Sequence, residues 1–373
     1  MLRIEDGYLV VYEEHAGSRG GDYFYVEQPE GLIPFCKLYG RYAKLEFVSR
    51  KGRRKTYVYR VPLAQVEGKA LYHFGFTNSG GFYFRGRYRV VGGSVIEEGT
   101  ASLKSLKFML FGRERPALRM YEEYGIPMAL EARRLMQKTG AKIVASGPRV
   151  YDLLTDPELA KVVSLIMPTW QGRVKALDAM LKTAHELYVM ALITDALKAR
   201  ARPLPWSSEP YWALEFASDY PSVILDSECG TFTIWYQFST KPWFNVVREA
   251  IVEWIRGGEK RGIQHVVPDI VVFEGEVVDR REVSFNRVKL VIEAKHKELS
   301  LVDLEQLNAY AEIFRRPKGV TLVVPFLKGA GRARGLLRDV YIVEHVNYSR
   351  GGPGHGVNEF RAIVKRALCD NAS

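Results

Sequence analysis

Two acids and an amine, Asp269, Glu293 and Lys295, have side chains and a spacing that could do chemistry together. Residues 289–295 read Lys-Leu-Val-Ile-Glu-Ala-Lys, a strand pattern in which successive side chains alternate faces. Glu293 and Lys295 then share one face, with Leu290, Ile292 and Ala294 on the other. A second strand, opening Pro268-Asp269-Ile270-Val271-Val272-Phe273, is the expected hairpin partner and brings another carboxylate to the same end. Paired carboxylates beside a lysine suit a divalent cation and a water to be activated.

The elements that must position these groups lie on both sides of the hairpin. Downstream, Ser300-Leu301-Val302-Asp303 has the form of a capping box. The helix it opens is predicted to run to about Arg316, with Pro317 ending it. Gln306 and Tyr310, four residues apart, share a face of that helix. Upstream, residues 173–199 read as a long helix that is apolar nearly all round at 187–193, the signature of a buried helix. Glu186 falls on the face continued by Met190, Ile193 and Leu197. A carboxylate there is costly unless it meets a cation or a metal, or reaches solvent at the helix end. Strands at 222–225, 231–238, 320–324 and 340–343 and an amphipathic helix at 243–256 complete the set. Asp226 and Glu228, between the first two strands, read as turn residues.

In order, Pro268-Asp269, Glu293-Ala294-Lys295 and the Gln306/Tyr310 pair resemble the PD-(D/E)XK nuclease superfamily, some branches of which carry a Q-x-x-x-Y helix. The resemblance covers residues 175–325 and is similar to the nuclease subunits of modified-cytosine restriction systems (McrC type). In that branch an E-L-W/Y helix comes first, and Glu186-Leu187-Tyr188 stands in its place. The acid before Ala294 is Glu, where that branch commonly has Asp. The resemblance implies an α/β fold, a restriction-endonuclease-like mixed sheet flanked by helices. It also implies a Mg²⁺- or Mn²⁺-dependent endodeoxyribonuclease. Asp269, Glu293 and the Ala294 carbonyl would bind the metal, and Glu186 would complete that site or a second one. Lys295 would orient the attacking water and neutralise the phosphate. Gln306 and Tyr310 would hold the backbone or support Lys295. A non-cleaving nucleic-acid-binding or assembly protein with a nuclease-like fold is the alternative of another class. Convergence of Asp269, Glu293 and Lys295 in space is the observation that bears on the choice.

Charge points to the same class of partner. The chain of 373 residues has a net charge of +11, and residues 41–116 alone carry 16 Lys and Arg against five Asp and Glu. A concentrated basic excess interleaved with Tyr and Phe is expected of a polyanion-binding surface. This stretch belongs to a β-rich segment with strands at 8–12, 23–26, 42–48, 56–61, 70–76 and 81–90. Lys51, Arg53, Arg54 and Lys55 form a nearly all-basic hairpin tip, suited to tracking phosphates or protecting a sheet edge. On the last strand Arg85, Arg87 and Arg89 share a face with Tyr83 and are expected to contact phosphates or bases, while Phe82, Phe84 and Tyr88 face the core. DNA is the expected partner, and RNA presents the same phosphates.

Helical patterns at 117–137, interrupted at Gly125-Ile126-Pro127 and stopped by Gly140, and at 151–167 suggest a connector. The expected organisation is thus 1–115, a basic β-rich nucleic-acid-binding domain; 116–172, a helical connector; and 173–373, the nuclease-like domain. With 47% hydrophobic and 26% charged residues the chain can bury a core. It has no apolar run long enough for a membrane span. Cys36, Cys229 and Cys369 are far apart and at no metal-binding spacing, so no disulfide framework is read from them and a reducing, cytoplasmic setting is expected. The seven histidines show no zinc pattern. The glycine-rich loop at 351–356 lacks a following Lys-Ser/Thr, so a nucleotide-driven step would need a separate motor subunit. A homo-oligomer is compatible with this organisation.

Overall fold

The computed structural model describes residues 1–16, 20–38, 44–51, 54–76, 82–99, 102–145, 153–214, 219–243, 247–248, 266–279, 283–314, 320–325 and 340–369. The chain divides into two compact units, Met1–Arg119 with Glu158–Asp178, and Met120–Pro157 with Ala179–Ser373. The residues expected as a connector are thereby shared between the two units.

The first unit is built on alternating aromatic and β-branched residues. Its strands are β1 (Leu2–Glu5), β2 (Tyr8–Ala16), β3 (Gly20–Gln28), β4 (Gly31–Pro34), β5 (Lys44–Lys51), β6 (Arg54–Pro62), β7 (Ala70–Phe76), β8 (Phe82–Val91) and β9 (Ser94–Gly99). They form one sheet in the order β5-β6-β2-β3-β7-β8-β9, with β1 on β2 and β4 on β3. Leu9, Val11, Phe24, Val26, Tyr59 and Val61 occupy alternate positions and bury one face. On the other face Phe74 packs on Tyr25 and Phe84, with ring centroids 5.4 and 5.5 Å apart. The predicted strands are present, and β1, β4 and β9 extend the sheet beyond them.

The chain passes from the first unit to the second within a helix that the sequence predicts to break. Arg115–Met120 continues through a π-helical turn, Tyr121–Gly125, into α1 (Ile126–Lys138) without interruption. Pro127 lacks an N–H, and a locally widened turn accommodates the missing donor. Gly125 has no Cβ, which would otherwise meet the Tyr121 ring at 2.5 Å. Gly140, with φ +83°, closes the helix as predicted. The second helical stretch holds helix at 153–155 and at Pro157–Leu165, with 151–152 outside the described residues. It is followed by α2 (Trp170–Leu197), inside which the division between the units falls.

Short strands β10 (Lys142–Ala145) and β12 (Tyr211–Leu214) pair in parallel. The main sheet holds β11 (Arg200–Arg202), β13 (Val223–Ser227), β14 (Gly230–Tyr236), β15 (Ile270–Glu274), β16 (Val288–Lys295), β17 (Val320–Pro325) and β18 (Val340–Ile342), in that order across it. Neighbours are antiparallel as far as β16, after which β16, β17 and β18 run parallel. The parallel step requires a crossover, supplied by α3 (Leu301–Ile313). Val271, Phe273 and Val291 pack with Leu307, Tyr310 and Phe314 of the α3 segment in one core. The amphipathic helix expected at 243–256 falls largely outside the described residues.

The cysteine reading is overturned. Cys369, the last residue of α4 (Gly356–Cys369), is disulfide-bonded to Cys229 in the turn between β13 and β14, 140 residues away. Sequence separation hid the pair, because spacing says nothing about residues that the sheet brings together. Cys36 is the only free cysteine among the described residues. Among those residues no helix is long and apolar enough to cross a membrane.

Candidate active site

Strand alternation carries two apolar rows into charge. Val271 and Phe273 face α3, and two residues before Val271 on the same side comes Asp269. Val291 faces α3 as well, and Glu293 and Lys295 continue its row. The register pairs Ile270 with Ile292 and Tyr236 with Ile270, so Gln237, Asp269 and Glu293 lie side by side across three neighbouring strand ends. Hydrogen bonds fix this row. The Gln237 N–H donates to the Asp269 carbonyl at 2.7 Å, and the Asp269 N–H donates to Glu293 Oε2 at 3.3 Å. The Ala294 N–H donates to Asp269 Oδ2 at 2.9 Å. A strand residue points its N–H and C=O to the same neighbour, so the Ala294 carbonyl is directed to the side on which Asp269 lies.

Glu186 of α2 completes the group from outside the sheet. It is 1% exposed, and Asp269 and Glu293 are 3% exposed. Its Oε2 accepts from the Tyr236 hydroxyl and from Gln237 Nε2, the latter at 3.3 Å. The same Gln237 amide donates to Asp269 Oδ1 at 3.4 Å, linking the two acids. Lys182, one helical turn before Glu186, places its ammonium 3.0 Å from Glu186 Oε1 and 3.9 Å from Asp269 Oδ1. Glu186 thus meets a cation, Lys182, and does not reach solvent.

Lys295 Nζ lies 2.7 Å from Glu293 Oε1 and 2.8 Å from Asp303 Oδ1. Asp303 has two duties, since its other oxygen accepts from the Ser300 N–H and hydroxyl in the helix-capping box. Tyr310, fully buried, hydrogen-bonds Glu293, and Gln306 Nε2 donates to the Tyr310 hydroxyl. The Gln/Tyr pair thus stands beside Glu293, the acid paired with Lys295.

Electrostatics follow from this crowding. Burial raises the Asp269 carboxyl well above its ordinary value, and Glu186 and Glu293 raise it further. Burial also raises Glu293, against the pull of Lys295. Burial alone would lower Lys295, yet Glu293 and Asp303 hold its ammonium above the usual lysine value. Burial would raise Asp303, but hydrogen bonds from Lys295 and Ser300 bring it below the usual carboxylate value.

The expected site residues Asp269, Glu293, Lys295, Glu186, Gln306 and Tyr310 thus meet in one network. Sequence reading missed Lys182, Tyr236, Gln237 and Asp303. Lys182 had a signal, its i,i+4 spacing to Glu186. Gln237 had none, because its backbone lies in the left-handed region, φ 54°, where tertiary contacts hold it.

The basic residues of the first unit are less available than expected. Arg85 pairs with Asp22 at 2.9 Å, and Arg87 pairs with Glu98 at 3.3 Å. Arg89 pairs with Glu98 and donates to the Gly68 carbonyl at 2.7 Å. Lys55 is exposed on β6, whereas Arg53 and the side chains of Lys51 and Arg54 lie outside the described residues.

No family model, curated protein or solved structure matches the chain. Among the described residues no three or more His, Cys, Asp or Glu side chains are already gathered as a ligand shell. The donor set nevertheless suits a hard divalent cation, being carboxylate oxygens with a nearby carbonyl. Glu186 Oε1 is buried, and the charged group beside it is the Lys182 ammonium, 3.0 Å away.

Proposed function

We propose that the chain is a metal-dependent nuclease that hydrolyses phosphodiester bonds of DNA, with its machinery on β15, β16, α2 and α3. One observation carries the reading: three acids from two strand ends and a helix are buried together with a lysine bonded to one of them. Burying so many charges is costly, and perturbed groups of this kind concentrate at functional sites. An ordinary hairpin with surface charges would incur no such cost.

Asp269, Glu293 and Glu186 would hold Mg²⁺ or Mn²⁺, which supplies a lowered pKa for water and counter-charge at the phosphate. Lys295 stays protonated, so it acts as a hydrogen-bond donor to the attacking water or a phosphate oxygen and not as the base. Glu293 and Asp303 fix its direction. Tyr310 orients Glu293, and Gln237 orients both Asp269 and Glu186. The basic sheet of the first unit would bear on the phosphate backbone of DNA, and RNA would offer it the same contacts.

The finer assignment follows the resemblance of Pro268-Asp269, Glu293-Ala294-Lys295 and Gln306/Tyr310. It is a restriction-endonuclease-like fold in the nuclease subunit of a restriction or defence system, working beside a separate nucleotide-hydrolysing subunit. The lack of a P-loop sequence supports that division of labour.

The test is cleavage of plasmid and oligonucleotide DNA with Mg²⁺, Mn²⁺ or EDTA. Asp269→Ala and Lys295→Ala should cut at least on the order of a hundredfold more slowly, with Lys295→Ala still binding DNA. Metal-independent cleavage that survives Asp269→Ala would sink the assignment. A non-cleaving nucleic-acid-binding protein is the second reading, favoured by Lys182 lying among the acids as an internal counter-charge. DNA binding without cleavage in any divalent metal would select it.

A further inference from the structure

Lys182 is the odd member of the cluster. The acids it touches are almost wholly buried, whereas its own side chain is 41% exposed. It reaches in from the solvent side and spans Glu186 and Asp269 with one ammonium. Its contact with Glu186 Oε1 is close, 3.0 Å, yet that oxygen has no aligned hydrogen-bond donor. The ammonium is therefore held by charge more than by directional bonding, and its four-carbon stem lets it withdraw.

A divalent cation at the same carboxylates would meet an ammonium only a few ångströms away. Two like charges at that distance repel strongly even with partial solvent screening. The two carboxylates that Lys182 spans cannot be shared without cost, so this lysine and the metal compete for them. Lys182 already occupies the approach to two of the three acids.

We infer that Lys182 is a displaceable counter-cation, a positioning residue that holds Glu186 and Asp269 in the metal-free protein and sets the metal affinity by competing for them. The inference rests on the metal-dependent reading above. Lys182 neutralises the acids until a metal replaces it, and the displaced ammonium is left at the exposed mouth of the site.

The experiment is Mn²⁺ binding to the full chain without DNA, measured by titration calorimetry and electron paramagnetic resonance. Lys182→Met should bind Mn²⁺ roughly tenfold or more tightly than the wild type, by removal of one nearby positive charge. Equal affinities overturn the inference, and so does weaker binding by the variant. No Mn²⁺ binding by either protein overturns the metal-dependent reading itself, and the inference falls with it. Should Lys182→Met fail to fold, the wild type carries the test through reductive methylation read by mass spectrometry. Mg²⁺ should speed labelling of Lys182 several-fold relative to lysines remote from the site. Labelling that is unchanged or slowed by Mg²⁺ overturns the inference.

Discussion

Burial raises the Asp269 carboxyl, Glu186 and Glu293 add to the rise, and Lys182 and Lys295 only partly offset it. The linkage has a definite sign. Below the ordinary carboxylate range, near pH 4, Asp269 is protonated in both folded and unfolded chains, and its stabilising contribution is fully present. As pH climbs through the raised value, the folded state keeps a proton that the unfolded state has released, and that stability is lost. In EDTA the melting temperature of the wild type should therefore fall relative to that of Asp269→Asn from about pH 4 upward, leaving the variant the higher melting at neutral pH. Asparagine can still accept from the Ala294 N–H, and the Gln237 amide can turn to meet the new donor. Identical pH profiles for the two proteins would remove Asp269 as the strained group. Asp269, Glu293 and Lys295 were legible in the sequence because alternation and hairpin order are local rules. Gln237 was not, since its conformation exists only in the assembled sheet.

At the scale of elements, α3 carries the most consequence. Its first turn is capped by Ser300 and Asp303, and the same Asp303 carboxylate grips Lys295. Asp303→Ala should cost about 1 kcal/mol through the lost cap, or about 2–4 °C in melting temperature. A purely structural cap would stop there. If Asp303 also aims Lys295, cleavage should fall further than stability explains while Mn²⁺ affinity stays unchanged. Ser300→Ala, which damages the cap but spares the ion pair, is the control, and equal rate losses for both variants would count against the positioning role. The capping box was readable because its four residues are consecutive. Its contact with Lys295 was not, being made across a crossover. The break expected at Pro127 failed for the opposite reason: a wider helical turn rescues a local rule that forbids continuation.

For the molecule as a whole, composition located the basic segment and pattern located the strands, but the division into units does not follow the sequence order expected of three consecutive segments. Cys229 and Cys369 show the same limit, being partners that only the folded sheet reveals. Closing so long a loop is worth roughly 4–5 kcal/mol on chain-entropy grounds. Reduction, or Cys229→Ser, should lower the melting temperature by about 10 °C, and non-reducing peptide mapping should recover the linked pair. Unaltered melting after verified reduction would show that the link adds no stability.

That link makes a covalent ring of residues 229–369. Gln237, Asp269, Glu293, Lys295, Asp303, Gln306 and Tyr310 all lie on the ring, whereas Lys182 and Glu186 lie on the chain leading into it. A protease that nicks the ring once leaves every one of these groups tethered in a single molecule. A cut between Glu186 and Cys229 instead releases the lysine–glutamate pair from the rest. Only the second kind of nick would thus part the strand-end acids from Glu186 and Lys182.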